Sequence, residues 1–183
     1  MGNCVDPLRN KRDIQRVADY LKSKNYRDYV LWFLGVTSGL RVSDILALNV
    51  KDVKNKRFVT IKEKKTRKMK QFPLTPELQL ILRQFTARRN PDELLFLGKT
   101  GKRLNRRQVY RVIKQACTAL KLGATVGTHT MRKTFGYHHY RKHKDIAILQ
   151  TIFNHSAPSI TLRYIGVQQD EINLSYFALK LCA

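Results

Sequence analysis

Acidic residues are scarce in this chain of 183: 13 Asp and Glu face 36 Lys and Arg, a formal net charge of +23. From residue 94 to 144 there is no acid at all, while the same span holds thirteen Lys and Arg. A solvated surface normally mixes signs, and a one-signed excess repels itself in the compact state, so it points to a polyanionic partner. Cysteine is sparse as well. Cys4, Cys117 and Cys182 are odd in number and show no metal-ligand spacing. That excludes a disulfide scaffold or zinc module and fits reduced thiols in a cytoplasmic protein. No run approaches 18 apolar residues, and the opening MGNCVDPLRNKR has no apolar signal core. Asp6 stands where a myristoylation signal wants Ser or Thr. Repeats and low-complexity tracts are also missing.

What is present is a folded domain. The chain is 43% hydrophobic, too apolar for a disordered basic tail and long enough for one domain. Ile14, Val17, Ala18 and Leu21 recur at helical spacing. YRDYVLWFLGVTS reads as a buried helix closed by Gly39, and VSDILAL as a short third one. RFVTI (57–61) and KQFPL (70–74) read as strands joined through the polar KEKKTRKM into a hairpin. Thr75–Pro76 opens another helix, Asn105 caps the next, and helical segments follow to the C-terminus. The expected class is α+β, mainly α: a helical bundle with a small antiparallel hairpin on one edge. Strands and helices do not alternate, which excludes a doubly wound sheet.

The charge has an address. Residues 51–70 carry ten Lys and Arg against two acids. The segment from Asn105 places Arg106, Arg107 and Arg111 near a helix start, where free N–H groups also suit phosphate. With Lys64, Arg67, Lys68 and Lys133 they form the expected nucleic-acid surface. His138, His139 and His143 cluster in sequence but match no metal-ligand spacing, so they are read as surface or packing residues, and no metal or cofactor is expected.

Three separated stretches carry chemistry. TSGLRVSDILAL sets Arg41 at a helix entry, where its fork can face a phosphate. HTMRKTFGYHHY puts His129 and Arg132 three apart, on one helix face. NHSAPSITLRYIG places His155 before a helix opened by Pro158, with Tyr164 two turns in. At 1.5 Å of rise per residue their side chains start roughly 10 Å apart, so they meet only if His155 folds back or both address one substrate. Alone, Tyr164 reads as a core residue. Together, two arginines and two histidines can stabilise a pentacoordinate phosphoryl transition state without a metal. A tyrosine can then be the nucleophile, and Lys65 in the hairpin can be the acid for the leaving oxygen.

In that order the motifs resemble those of the tyrosine recombinases, or phage-integrase family, over about residues 13–164. The resemblance implies the catalytic-domain fold of that family and a DNA strand cut and rejoined through a 3′-phosphotyrosyl bond, without metal or ATP. It implies Tyr164 as nucleophile, Arg41, His129, Arg132 and His155 around the phosphate, Lys65 as acid and Asp44 in support, where many members have Glu. Lys64, Lys68 and Lys70 rival Lys65. Many members have Leu-Gly before the last histidine; this chain has Phe153–Asn154, and Asn is the next best residue for a left-handed turn. The expected partner is double-stranded DNA, in a homo-oligomeric, tetrameric synapse, in a bacterial, phage or mobile-element setting. Residues 1–183 are expected to form one catalytic domain without the family's N-terminal core-binding domain. The tail from 166 onward, with Ile172, Leu174, Phe177 and Leu181, is expected to dock on a neighbouring subunit. The rival readings are a regulator with a decayed site and a type IB topoisomerase-like enzyme.

Overall fold

The structure is a computed structural model that describes residues 5–98, 100–167, 173–174 and 176–179. α1 (Lys11–Lys24) and α2 (Tyr26–Ser38) are separated by Asn25 alone, which ends the first and caps the second by accepting from the Arg27 N–H. Gly39 stops α2 in a left-handed conformation (φ 62°). A Cβ there would lie 2.4 Å from the Phe135 ring, so glycine is required by backbone and by space. α3 (Val42–Ile45) follows with Arg41 as its N-cap residue, then a four-residue α4 (Val50–Val53). The latter is too short to leave a periodic signal and was not expected; Asp52 secures it by accepting from the Asn49 N–H at 2.7 Å.

β1 (Phe58–Lys62) and β2 (Met69–Pro73) form the expected antiparallel hairpin, in a register running from Phe58↔Pro73 to Lys62↔Met69. Three longer helices and two short ones follow in sequence: α5 (Pro76–Thr86), α6 (Arg106–Ala119), α7 (Thr130–His143), α8 (Ile146–Phe153) and α9 (Pro158–Ile165). Thr75 and Asn105 act as caps as their types predict, the latter in a reciprocal pair with Gln108. The class is therefore mainly helical with one small hairpin. Among the described residues no helix is long and apolar enough to cross a membrane.

Two apolar clusters organise the molecule. The larger gathers α1 to α6 around Trp32, Phe96 and Leu34 and reaches Met131. The smaller holds Tyr140, Leu149, Phe153, Ile165 and Val167. α7 belongs to both, and at Gly136 it lies so close to α9 that a Cβ would sit 2.7 Å from Ile165 and Phe153. Residues from both clusters therefore meet along the first half of α7.

Candidate active site

Arg132, three residues into α7, is 2% exposed. Its guanidinium donates to the Gly39 carbonyl (2.6 Å) and the Phe153 carbonyl (2.8 Å), and stacks 4.2 Å from the Phe153 ring. One side chain thus clamps the end of α2 to the end of α8. Burial, with Arg41 adding to it, lowers its pKa to about 10, still a full cation at neutral pH. Arg41 approaches the same Phe153 carbonyl through Nη2 at 3.4 Å. The two arginines converge although 91 residues separate them in the chain.

His129 is the N-cap residue of α7 rather than part of its first turn. Its Nδ1 lies 3.0 Å from the Tyr164 hydroxyl. Tyr164, near the end of α9, is half-buried, with its ring edge-on to His155 and Phe153. Burial raises the Tyr164 pKa against the opposing pull of Arg132 and Arg41, so the phenol is neutral at rest. His155 does fold back: its Nδ1 lies 3.1 Å from Thr161 Oγ1, and its ring centroid comes within 5.2 Å of the Tyr164 ring. Asn154, in the left-handed region at φ 52°, makes the reversal.

Both histidines are held neutral. His155 falls to about 4, through burial first and then Arg132, Arg41 and Lys65; His129 falls for the same two kinds of reason. Before the reaction they can meet a phosphate as neutral hydrogen-bond donors. Burial lowers the His139 pKa as well. An unfolded chain takes up these protons near pH 6.5 and the folded one does not, so stability falls as pH drops below about 6.5 towards the folded values. The melting temperature is expected to fall between pH 7 and 5, above the carboxylate range, and to fall less steeply in His155→Gln. Calorimetric melting curves flat across that window would contradict the neutral-histidine site.

Lys65 lies exposed on the hairpin turn and lines a cleft of about 390 Å³ with Arg41, Lys64, Arg106, Thr128 and His129. Lys70, on β2, donates to the Ile152 carbonyl at 2.9 Å, and burial, then Arg132, lower its pKa to about 8. Lys64, Arg67, Lys68, Arg106, Arg107 and Arg111 are all exposed. Lys133 is not: it is 7% exposed, with Nζ 5.2 Å from the centre of the Tyr164 ring, so it faces the tyrosine instead of open surface. α7 turns it inward at the seam of the two clusters.

Asp44 supports the arginine less directly than expected. It is 4.0 Å from Arg41 Nη1, and its closer partner is the Lys64 N–H at 3.0 Å. The acid on Arg41 is Glu63, with Oε1 2.7 Å from Nη1. Sequence reasoning missed it, although a signal existed: Glu63 follows Val59 and Ile61 in the alternation that turns β1 inward. Among the described residues no three His, Cys, Asp or Glu side chains could together hold a metal ion. His138 bonds the Leu8 carbonyl at 2.9 Å, and His139 packs on Phe135 and His143.

The model of the phage integrase family matches residues 9–171. This chain belongs to the phage integrase family. The family chain is 46% identical over 175 residues to the probable integrase/recombinase YoeC of Bacillus subtilis (strain 168), across 95% of this chain and 96% of that one. It is 33% identical over 153 residues to the tyrosine recombinase XerC of Neisseria meningitidis serogroup C, across 82% of this chain and 50% of that protein, so it spans about half of such a relative. In fold, this phage-integrase domain resembles the XerA recombinase, with a TM-score of 0.78 at 18% identity over 100% of this chain and 66% of that one. It also resembles the Tn1549 transposon integrase in complex with transposon right end DNA, with a TM-score of 0.75 at 16% identity over 97% and 67%. It is a site-specific recombinase catalytic domain of the integrase type.

Proposed function

We propose that this domain cuts and rejoins duplex DNA through Tyr164. The observation that carries the reading is the 3.0 Å contact between the Tyr164 hydroxyl and His129 Nδ1, set beside two converging arginines. In its Nε2–H tautomer His129 accepts the phenolic proton at Nδ1 and offers Nε2–H to a phosphoryl oxygen. Tyr164 Oη attacks phosphorus, a tyrosyl–phosphate bond forms at the 3′ side, and the P–O5′ bond breaks. Arg41 and Arg132 balance the charge on the equatorial oxygens, and His155 donates a hydrogen bond to one of them. Lys65 gives a proton to the departing O5′, so one proton is taken and one returned. The phosphodiester's energy stays in the covalent bond, and rejoining is the reverse attack by a 5′-hydroxyl. The exposed arginines of α6 and the hairpin lysines suit the flanking phosphates, and the DNA complex formed by the similar Tn1549 integrase supports a DNA partner. Cleavage of a nicked suicide duplex carrying the cognate site tests the reading. A covalent protein–DNA adduct is expected, and none with any cognate site would sink it.

Lys65 is assigned the acid's role because it stands in the cleft, whereas Lys70 is half-buried and bonded to the Ile152 carbonyl. Its depressed pKa nevertheless suits Lys70 to the same task. A duplex with a bridging 5′-sulfur separates them, since a thiolate leaves without protonation. Lys65→Ala is expected to slow cleavage of the ordinary duplex by about 10²–10⁴ and to recover most of that rate on the sulfur-bridged one. Recovery in Lys70→Ala in place of Lys65→Ala would reassign the acid.

The assembled form is read as a homo-oligomer on DNA. Leu174, Tyr176, Phe177 and Leu179 of the tail are 53–81% exposed, which supports docking on a neighbouring subunit. Ile172 and Leu181 lie outside the described residues. Cys117 is buried and its thiol is pushed up to about 11, chiefly by burial, which fits an unreactive cysteine in a cytoplasmic protein.

A further inference from the structure

Glu63 takes no part in the chemistry above, yet its side chain is wholly enclosed at 0% exposure. An unpaired buried carboxylate is strongly unfavourable, so its surroundings must hold it. Three segments do. Oε1 faces Arg41 Nη1 at 2.7 Å, at the start of α3. Oε2 accepts from Thr66 Oγ1 at 2.6 Å, in the hairpin turn, and from Asn154 Nδ2 at 3.0 Å, at the end of α8. Burial by itself would raise the Glu63 pKa, but the bonds from Thr66 and Asn154 and the Arg41 charge together hold it below the ordinary carboxylate value. It is an anion at any working pH.

The contact with Arg41 is ionic rather than a linear hydrogen bond, since neither Nη1 nor Oε1 meets a partner at bonding angles. That matters because Arg41 stands among cations. Arg132 shares the Phe153 carbonyl with it, and Lys70 is near enough to feel its charge. Before a phosphate arrives, repulsion would drive the Arg41 guanidinium outward. Glu63 is the buried counter-charge that opposes this.

Asn154 adds a second link between the same parts. Its left-handed backbone would be met at least as well by glycine. What glycine could not supply is the carboxamide, and that group reaches Glu63. The residue on one side of Asn154 is Phe153, whose carbonyl receives both arginines; the residue on the other is His155.

We infer that Glu63 is a positioning residue for the cleavage step, a buried anion that fixes the Arg41 guanidinium and, through Asn154, ties the turn before His155 to it. The inference rests on the proposed cleavage reaction. Single-turnover cleavage of the nicked suicide duplex tests it, with DNA affinity measured on the same proteins. Glu63→Gln is expected to slow cleavage by about 10² while affinity changes by less than about threefold. Asn154→Gly, which keeps the backbone conformation, is expected to slow it about 3- to 10-fold. The double variant should fall close to Glu63→Gln alone, because the two residues act as one unit.

A duplex with a methylphosphonate at the scissile position separates positioning from general loosening. That group carries no charge for Arg41 to meet, so the defect of Glu63→Gln should shrink to less than about tenfold. Equal slowing on both duplexes, or wild-type cleavage by Glu63→Gln on the ordinary one, overturns the inference while leaving the reaction intact. If Glu63→Gln does not fold, Asn154→Gly decides: a slower cut at unchanged affinity supports the link, and an unchanged rate removes it. Failure of the wild-type chain to form any adduct takes the reaction down, and the inference with it.

Discussion

Tyr164→Phe is expected to bind its DNA as the wild-type chain does and to form no covalent adduct, a loss of at least about 10⁴ in cleavage rate. The substitution removes one oxygen. The ring keeps its edge contacts with His155 and Phe153 and its place beneath Lys133. What disappears is the bond to His129 Nδ1, and His129 remains exposed at a cleft open to water. Folding stability should therefore change by no more than about 1 kcal/mol, the net worth of one hydrogen bond. The measurement is denaturing electrophoresis of the suicide-duplex reaction beside a gel-shift titration. An adduct that persists in Tyr164→Phe would place the nucleophile on another residue, and loss of DNA binding together with cleavage would make the tyrosine structural.

Arg132→Lys is expected to lose both activity and stability, unlike Tyr164→Phe. Arg132 is the clamp between the two clusters, reaching the Gly39 and Phe153 carbonyls at once. Lysine brings a charge but no planar fork, so it cannot hold both carbonyls and also face a phosphate. Leaving one buried carbonyl without its donor costs about 1–3 kcal/mol, and the stacking on the Phe153 ring at 4.2 Å is lost as well. Denaturant unfolding should show a lower midpoint. Cleavage should fall by about 10²–10³ or more, as when one donor to a developing oxyanion is removed. Wild-type stability with slow cleavage would mean the arginine serves the phosphate alone; the reverse would mean it serves the fold alone.

The two variants differ because of where their residues sit. Tyr164 caps a site built by others, whereas Arg132 is part of what holds α7 to the ends of α2 and α8. From the sequence both were catalytic candidates of equal standing. The H-x-x-R spacing says that His129 and Arg132 can share a face; it does not say that one will be an exposed cap residue and the other a 2% exposed clamp.

Much was legible because it is local. Helical spacing in α1, Gly39 at the end of α2, the Thr75 and Asn105 caps and the hairpin are set by residues within a few positions of each other. The motif order around Arg41, Lys65, His129, Arg132, His155 and Tyr164 pointed to the chemistry proposed above, because each motif names phosphate-directed residue types. The left-handed turn at Asn154 followed from residue type too. α4 was missed since four residues are too few for a periodic pattern.

What only the tertiary structure decided is electrostatic and depends on neighbours far away in the chain. The sequence offered several cations in the hairpin, and it named Lys65 as the acid. Burial beside the Ile152 carbonyl lowers the pKa of Lys70. The sequence named Asp44 as the acid behind Arg41; the inward pleat of β1 brings Glu63 there, 22 positions away. It left Lys133 on the surface, and the α7–α9 contact turns it onto Tyr164. Residue types and spacing determined which groups were candidates for the site. The packing of two apolar clusters determined their protonation and their partners, because desolvation and Coulomb terms are set by three-dimensional distance.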